Sequence, residues 1–391
     1  MMRIAAVEAW AVKIPREAGP HTGLAGSPAP LQSGAARYRV AETFPTVYSS
    51  EIETTLVRVR TDSGLTGWGE AQSPVAPEVT QTIIRTLLAP LLAGEDALAP
   101  DAAWQRMYDA MRVRGHRGGF YLDAMAGVDI ALWDLGGKAC GLPVYRMLGG
   151  PHRTLLPCYI SGVAGATPEE RMDFIAGYVD EGAQSFKFFL DAGERDLLDW
   201  IDRLRDRFGG AITIYVDALW RFDLKRAVRL VRQLEAWDVG WLEAPLAPEA
   251  VDGHAALARA ARIPIAIGEC YRTRFELLPF LRRGALDIAQ PDLGRTGITE
   301  GRKIAILADT FLAPVAPHLS IGLGPQIAAA FQFAAATANL LTVECNPKVL
   351  ETANRYLRVP LVRDGGSLRL PEGPGLGIEM DEAALAQVIS S

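Results

Sequence analysis

The sequence predicts an α/β fold, a (β/α) barrel with a smaller α+β domain beside it. The main observation is a set of six ionisable residues separated by 26, 26, 23, 26 and 26 positions. Short apolar runs precede them, for example Ile212–Val216, and one strand, one helix and two loops occupy about this length in a repeating βαβ unit. The six residues are Asp217, Glu243, Glu269, Asp292, His318 and Glu344. In a barrel, the C-terminal strand ends are where catalytic groups meet.

The length and composition limit the class of protein. A chain of 391 residues suits a barrel of roughly 250 residues plus another domain. A hydrophobic content of 49% and a charged content of 22% are ordinary for a globular protein, and the net charge of -6 argues against nonspecific nucleic-acid binding. The uncharged stretch 327–343 contains polar residues and is typical of a helix followed by a strand, so we expect no membrane span.

The cysteines and the N-terminus bear on localisation. The four cysteines are scattered without a CxxC pair, and we interpret them as reduced thiols. Met1 is followed by no apolar signal-peptide core. We therefore expect a cytoplasmic protein.

The chain divides into three predicted segments. Residues 53–60 alternate in period two, a turn follows at 62–64, and the extended pattern resumes, which predicts an antiparallel hairpin. Helical periodicity then runs from Val79 to about Cys140 and stops at Gly141-Leu142-Pro143. We predict an N-terminal domain at 1–140, the barrel at 141–355, and a C-terminal segment at 356–391 that returns to the N-terminal domain.

A segment between Arg16 and Ala36 is rich in glycine, proline and serine and has no periodicity. A loop of this length in a compact protein is usually a lid or disordered, and we interpret it as a substrate lid. His21 lies in this segment and is a candidate substrate contact.

Three carboxylates end successive predicted strands: Asp217, Glu243 and Glu269. Side by side at a barrel mouth they would repel one another unless a cation lies between them. Hard oxygen ligands with open coordination positions suit Mg²⁺. The sequence therefore predicts a Mg²⁺ site.

Asp292 and His318 end the next two strands. A carboxylate beside an imidazole orients the ring and stabilises the imidazolium, so His318 is a candidate general base. Glu344 follows on the next strand, and a carboxylic acid there could donate a hydrogen bond to a substrate carboxylate as negative charge develops.

Several motifs in order resemble the enolase superfamily, in its mandelate racemase/muconate lactonizing type. At the predicted entry to the barrel stand Ala131-Leu132-Trp133-Asp134, Gly141-Leu142-Pro143-Val144 and Leu148-Gly149-Gly150. The later strand ends read Trp241-Leu242-Glu243-Ala244-Pro245, Gly268-Glu269, Gln290-Pro291-Asp292 and Pro317-His318. The resemblance covers nearly the whole chain and implies a modified TIM barrel, (β/α)7β, with an α+β capping domain made by both termini.

The resemblance also implies roles and an assembly. It makes Asp217, Glu243 and Glu269 the Mg²⁺ ligands, and it makes the Asp292/His318 pair the base of the mandelate racemase subgroup. It further implies a homo-oligomer, between a dimer and an octamer.

The resemblance draws attention to Lys187. Many relatives carry Lys-x-Lys here, with the second lysine as a base on the face opposite the histidine, whereas this chain has Lys187-Phe188-Phe189. Counted from Gly182, Lys187 matches the first lysine and Phe189 replaces the second. Lys187 remains a candidate catalytic residue that pairs with substrate oxygens. In the other possible alignment, Lys187 would match the second lysine of the pattern. The site would then have one base on each face of the substrate, as in the relatives with two lysines.

These residues predict proton abstraction α to a carboxylate, followed by β-elimination of water from an acid sugar, an aldonate or aldarate, to a 2-keto-3-deoxy acid. A sugar-lactone cycloisomerase or an epimerase is the alternative within the superfamily. A noncatalytic metal-binding protein and a zinc-dependent barrel hydrolase are alternatives from other classes. Further candidate substrate contacts are Tyr159, Arg221 and Arg295.

Overall fold

A computed structural model describes residues 2–15, 37–40, 46–190 and 193–389. The predicted lid at 16–36, including His21, lies outside the described residues. The chain forms an N-terminal part up to Met147 and a C-terminal part from Leu155 onward, which are described in turn.

The N-terminal part contains five strands: β1 (Ile4–Pro15), β2 (Tyr38–Val40), β3 (Val47–Ser49), β4 (Glu51–Thr61) and β5 (Thr66–Ala71). They form a three-stranded antiparallel sheet in the order β1–β4–β5 and a separate hairpin of β2 and β3. Strands β4 and β5 are the antiparallel hairpin that the period-two pattern predicts.

Helices cover one side of this sheet. They are α1 (Pro77–Ile83), α2 (Ala89–Leu92), α3 (Pro100–Arg112), α4 (Gly119–Cys140) and α5 (Val144–Met147), with a π-helical turn at Ile84–Leu88 between the first two. Most of α4 is buried, and it packs directly on β5. Glycine is required at this contact, because a Cβ atom on Gly69 would lie 2.0 Å from the carbonyl oxygen of Gly127.

The C-terminal part is a closed barrel of parallel strands. Its strands are β6 (Leu155–Ile160), β7 (Ser185–Phe189), β8 (Thr213–Asp217), β9 (Trp241–Glu243), β10 (Ile265–Ile267), β11 (Ile288–Ala289) and β12 (Val343–Cys345). Strand β12 pairs with β6 and closes the ring. Between β11 and β12, the short extended segment at Val315 takes the position of an eighth strand: Val315 bridges Ala289 on one side and Leu340 on the other, which completes the circuit.

Seven helices alternate with these strands in the described part of the chain. They are α6 (Pro168–Asp180), α7 (Glu194–Phe208), α8 (Leu224–Leu234), α9 (Val251–Ala260), α10 (Arg274–Arg283), α11 (Leu293–Thr310) and α12 (Pro325–Ala335). Helix α8 shows why they form: Ala227, Leu230, Val231 and Leu234 recur at helical spacing and are all buried. The predicted (β/α)7β barrel with an α+β capping domain is confirmed.

The C-terminal tail forms α13 (Pro347–Asn354), β13 (Arg363–Asp364), β14 (Ser367–Arg369) and α14 (Glu382–Leu385). Strand β14 pairs antiparallel with the first half of β6, in the barrel. Further on, Leu376 N donates to Asp134 Oδ1 in α4, and Ile389 bridges Val12 in β1. The tail therefore contacts both parts of the molecule.

Within the described residues, no helix has the length and apolar character needed to cross a membrane. All four cysteines are free thiols.

Candidate active site

Parallel register places the ionisable strand ends at one level of the barrel. Asp217 pairs with Glu243 on the next strand and with Phe189 on the preceding one. Asp292 and His318 form a parallel bridge of their own. Because the C-terminal ends of parallel strands open on the same side, these side chains share one end of the barrel.

Strand β7 shows which side chains point into the barrel. Its residues alternate, and Phe188 packs outward on Trp200 of α7, with ring centroids 6.3 Å apart. Lys187 and Phe189 therefore share the barrel side, and the Phe189 ring centroid lies 5.4 Å from Lys187 Nζ. Phe189 is level with Asp217, and Lys187 lies one inward-facing position deeper.

Lys187 is the central cation of the site. Its Nζ atom lies 2.7 Å from Glu243 Oε1, 3.0 Å from Glu344 Oε1 and 3.8 Å from Asp217 Oδ2. Burial lowers the pKa of this lysine, but attraction to Glu243 and Glu344 outweighs burial and holds the pKa well above its usual value. Lys187 is therefore a charged ammonium.

The predicted metal ligands are buried to different degrees. The side chains of Asp217 and Glu243 are 3% and 1% exposed, whereas that of Glu269 is 22% exposed. Burial, followed by repulsion from Glu243, raises the pKa of Asp217 well above its usual value. Burial also raises the pKa of Glu243, with repulsion from Glu344 and Glu269 acting in the same direction and Lys187 opposing it.

This repulsion is the feature that a divalent cation would relieve, and an all-carboxylate donor set suits a hard ion such as Mg²⁺. As the side chains stand, no three carboxylate, imidazole or thiol groups of the described residues are arranged to hold an ion. Glu269 Oε1 accepts from Trp220 Nε1 at 2.6 Å, and its Oε2 lies 3.0 Å from His318 Nε2. The donors fit Mg²⁺ in chemistry, with Trp220 holding one oxygen of Glu269 and the other oxygen leaving His318 to bind the cation.

His318 and Asp292 are paired. His318 Nδ1 lies 2.7 Å from Asp292 Oδ2, and Asp292 Oδ1 accepts from Gly294 N at 2.8 Å, which caps helix α11. Burial lowers the pKa of His318, but Glu344, Glu269 and Asp292 together raise it to about 10. With these three anions around it, the imidazole is protonated near neutral pH.

Glu344 lies between the lysine and the histidine. Its Oε1 pairs with Lys187, and its Oε2 accepts from Leu319 N at 3.1 Å and lies 3.9 Å from His318 Nε2. Burial raises the pKa of Glu344, but Lys187 and His318 lower it to about 2. In this arrangement Glu344 is an ionised acceptor, so the predicted role as a hydrogen-bond donor would require it to gain a proton.

The predicted substrate contacts Tyr159, Arg221 and Arg295 lie in three different environments. Tyr159 is fully buried in the barrel interior against Tyr215 and Trp241, and its ring centroid lies 5.6 Å from Lys187 Nζ. Arg221 donates to the backbone oxygen of Leu190, the residue that follows β7. Arg295 is partly exposed in the first turn of α11, and its Nε atom is buried without a partner among the described residues.

Other residues that contact the site were not predicted from the sequence. Trp220 reaches Glu269 because Leu219 and Trp220 both adopt left-handed backbone conformations, with φ of 56° and 59°. Gln290 Nε2 donates to Glu243 Oε2 at 2.8 Å, and Ser320 Oγ donates to Asp292 Oδ2 at 3.0 Å. Gln290 belongs to the strand-end motif Gln290-Pro291-Asp292, so the sequence could have indicated its position at the site. No motif indicates the contacts of Trp220 and Ser320.

Two protein-family models match the chain. The model described as "Enolase C-terminal domain-like" matches residues 170–384. The model described as "Mandelate racemase / muconate lactonizing enzyme, N-terminal domain" matches residues 39–149. Together they cover most of the capping domain and the barrel.

Individual proteins match over most of their lengths. The chain is 33% identical over 345 residues to D-galactarolactone cycloisomerase of Agrobacterium fabrum, covering 85% of this chain and 90% of that protein. It is 34% identical over 353 residues to D-galactonate dehydratase of Ralstonia pickettii, with the same coverage. Among solved structures, a member of the enolase superfamily from Agrobacterium tumefaciens superposes with a TM-score of 0.94, at 34% identity and complete coverage of both chains.

Proposed function

This chain belongs to the enolase superfamily, in its mandelate racemase/muconate lactonizing group, and on that premise we propose that it is an acid-sugar dehydratase. It would remove the proton α to the carboxylate of an aldonate or aldarate and then eliminate the β-hydroxyl as water. The observation that carries this proposal is the His318–Asp292 pair at 2.7 Å, together with a phenyl ring where a second base would stand. The names of similar proteins support acid sugars as the substrate class.

Asp217, Glu243 and Glu269 would hold Mg²⁺, the cation that enolase superfamily members generally use. When bound, Mg²⁺ would neutralise these carboxylates and withdraw electron density from the substrate carboxylate. The chain's own contribution is to place three carboxylates at adjoining strand ends. Glu269 would exchange its contact with His318 for this role.

His318 is the proposed base. In the present arrangement Glu269 is one of the anions that keep its imidazole protonated. When Glu269 Oε2 leaves His318, Nε2 loses its nearest carboxylate contact, and the ring keeps Asp292 on Nδ1 and Glu344 at 3.9 Å from Nε2. Asp292 then fixes the tautomer with Nε2 free to accept a proton.

The proposed reaction proceeds in two balanced steps. Nε2 of His318 takes the C2 proton, and the electron pair of the C–H bond moves into the carboxylate to give an enediolate. The pair then returns to form the C2–C3 double bond while the C3–O bond breaks, and the imidazolium proton goes to the departing hydroxyl, which leaves as water. The resulting enol tautomerises to a 2-keto-3-deoxy acid.

Lys187 would stabilise the developing negative charge. It is a buried ammonium within 3.0 Å of carboxylates on two different strands, so its position is fixed before the substrate arrives. Glu344 would hold this ammonium in place and restrain the loop after His318 through Leu319 N. Phe189 has no exchangeable proton, so it cannot act as an acid or a base on the side of the substrate that it would border.

A sugar-lactone cycloisomerase is the second candidate, favoured by the 33% identity to the D-galactarolactone cycloisomerase. Such a reaction also begins with removal of an α-proton, so the same base and cation would serve. The two candidates differ in their products, because a dehydratase releases water whereas an isomerase conserves mass.

A panel of C4 to C6 aldonates, aldarates and their lactones, incubated with the protein and Mg²⁺ in D₂O, tests the proposal. ¹H NMR and mass spectrometry follow the products. We expect loss of water and a new deuterated C3 methylene. Deuterium at C2 with the mass otherwise conserved would overturn dehydration and indicate an isomerase, and absence of turnover across the whole panel would overturn the acid-sugar assignment.

A further inference from the structure

A chain of hydrogen bonds runs from the capping domain to the proposed base. We infer that Ser320 and Gln72 are positioning residues for His318, acting through Asp292; this inference rests on the proposed function for the role of His318. Gln72 directly follows strand β5 of the capping domain, and Ser320 lies in the barrel loop two residues after His318.

The contacts meet on one oxygen atom. Ser320 Oγ lies 3.0 Å from Asp292 Oδ2, the same oxygen that lies 2.7 Å from His318 Nδ1. Gln72 Nε2 hydrogen-bonds to Ser320 Oγ from the other side. Asp292 Oδ1 is occupied by Gly294 N, so both oxygens of this carboxylate are held.

The direction of the chain follows from the donor inventory. An ionised Asp292 only accepts hydrogen bonds, so Ser320 must give its single hydroxyl proton to Asp292. The Ser320 oxygen then accepts, and Gln72 must present its amide N–H. Gln72 thus donates from the capping domain to the Ser320 oxygen, which leaves the Ser320 hydroxyl proton for Asp292.

Gln72 is itself held firmly. It is 6% exposed, and its backbone N–H donates to Gly294 O at 2.9 Å. Two residues earlier, Glu70 accepts from Leu323 N at 2.7 Å and from Gln326 N at 3.3 Å. The end of β5 therefore binds the first turn of α11 and also the loop that carries Ser320.

This arrangement fixes the plane of the Asp292 carboxylate, and that plane sets the orientation of the imidazole. Without the Ser320 hydroxyl, His318 would be the one remaining partner of Asp292 Oδ2 among the described residues, and the carboxylate plane could change while Oδ1 stays hydrogen-bonded to Gly294 N. The position of the capping domain would then no longer influence the orientation of the His318 imidazole.

The variants Ser320→Ala, Ser320→Thr and Gln72→Leu test the inference, with Ser73→Ala as the matched control. Ser73 adjoins Gln72 and is also buried, but its hydroxyl donates to Thr80 inside the capping domain. On an acid sugar that the wild type converts, we expect Ser320→Ala and Gln72→Leu to lower kcat roughly 10-fold with little change in KM. Ser320→Thr keeps the hydroxyl and should restore most of kcat, and Ser73→Ala should match the wild type.

A second measurement does not need turnover. The His318 Nδ1 proton, identified as a downfield ¹H resonance that is lost in His318→Asn, should move or broaden in Ser320→Ala and stay unchanged in Ser73→Ala. An unchanged resonance and an unchanged kcat in Ser320→Ala would overturn the inference. If the wild type converts no acid sugar, the proposed function fails while the resonance still decides whether Ser320 positions the imidazole.

Discussion

The ring of Phe189 lies beside the ammonium of Lys187, with its centroid 5.4 Å from Nζ, on the barrel-facing side of strand β7. The two residues therefore occupy alternate inward-facing positions of β7, and in the registration counted from Gly182 they match the two lysines of a Lys-x-Lys pattern, of which only the first is a lysine here. A phenyl ring can stabilise a neighbouring cation but cannot transfer a proton. The chemistry available from β7 is limited by this one side chain.

Replacing Phe189 with lysine should add proton exchange to the activity. The new ammonium would lie near Lys187, and like-charge repulsion lowers the pKa of such a pair, so that one amine is able to exchange a proton. We expect deuterium to enter C2 of unreacted substrate in D₂O, measured by ¹H NMR, at a rate well above that of the wild type. Phe189→Leu is the control and should show none; a folded Phe189→Lys variant without exchange would show that this position does not reach the substrate.

Replacing His318 with asparagine should remove the proposed base. Loss of a general base typically costs roughly 10²–10⁴-fold, so we expect kcat to fall by this amount. Mg²⁺ binding, measured by titration calorimetry, should persist because none of the three proposed ligands is changed. Turnover at the wild-type rate would eliminate His318 as the base, whereas loss of Mg²⁺ binding would place it among the ligands.

Replacing Trp220 with phenylalanine should weaken Mg²⁺ binding. The indole N–H holds Glu269 Oε1 at 2.6 Å, and loss of such an outer partner commonly lowers metal affinity about 10-fold or more. Trp237→Phe is the matched control, since that indole donates to Asp202, which is no part of the site. Calorimetric titrations that gave both variants the same affinity for Mg²⁺ would show that Trp220 does not orient Glu269.

Glu70 should make stability depend on pH. Burial raises its pKa from 4.5 to about 7, so the folded chain holds this proton more tightly than the unfolded chain does. Its contribution to the free energy of unfolding is present below pH 4.5 and is lost as pH rises to about 7, by roughly 3 kcal/mol. Glu70→Gln does not titrate, so it should gain stability relative to the wild type across this window.

Urea denaturation of both proteins at matched pH values measures this difference. Contributions from other buried acids, such as Asp129, cancel in the comparison because they are common to both. A stability difference that stays constant between pH 4.5 and 7 would mean that the pKa of Glu70 is not raised.

The fold could be predicted because its signals are local. Each βα unit repeats the same succession of apolar run, polar strand end and amphipathic helix, so regular spacing identified the barrel and the residues at its mouth. The alternation along β7 similarly determines that Lys187 and Phe189 share a side. Resemblance to a known family added the closed (β/α)7β form and the capping domain.

Contacts between distant segments of the chain are not indicated by any local pattern in the sequence. Gln72 and Ser320 are 248 residues apart, and their hydrogen bond exists only because β5 docks on the barrel. Trp220 meets Glu269 because two successive residues adopt positive φ, which neither leucine nor tryptophan favours. Tyr159 was a candidate substrate contact by its strand position, and packing against Tyr215 and Trp241 buries it completely.

The sequence by itself determined the barrel, the order of its strand-end carboxylates and histidine, and the presence of Phe189 two residues after Lys187, because periodicity and residue type are properties of short segments. Only the tertiary structure decided that Lys187 pairs with Glu344, that Glu269 turns to His318 and Trp220, and that Gln72 reaches Asp292 through Ser320. These pairings depend on closure of the ring by β12 on β6 and on docking of the capping domain, and both bring together residues that are far apart in the chain.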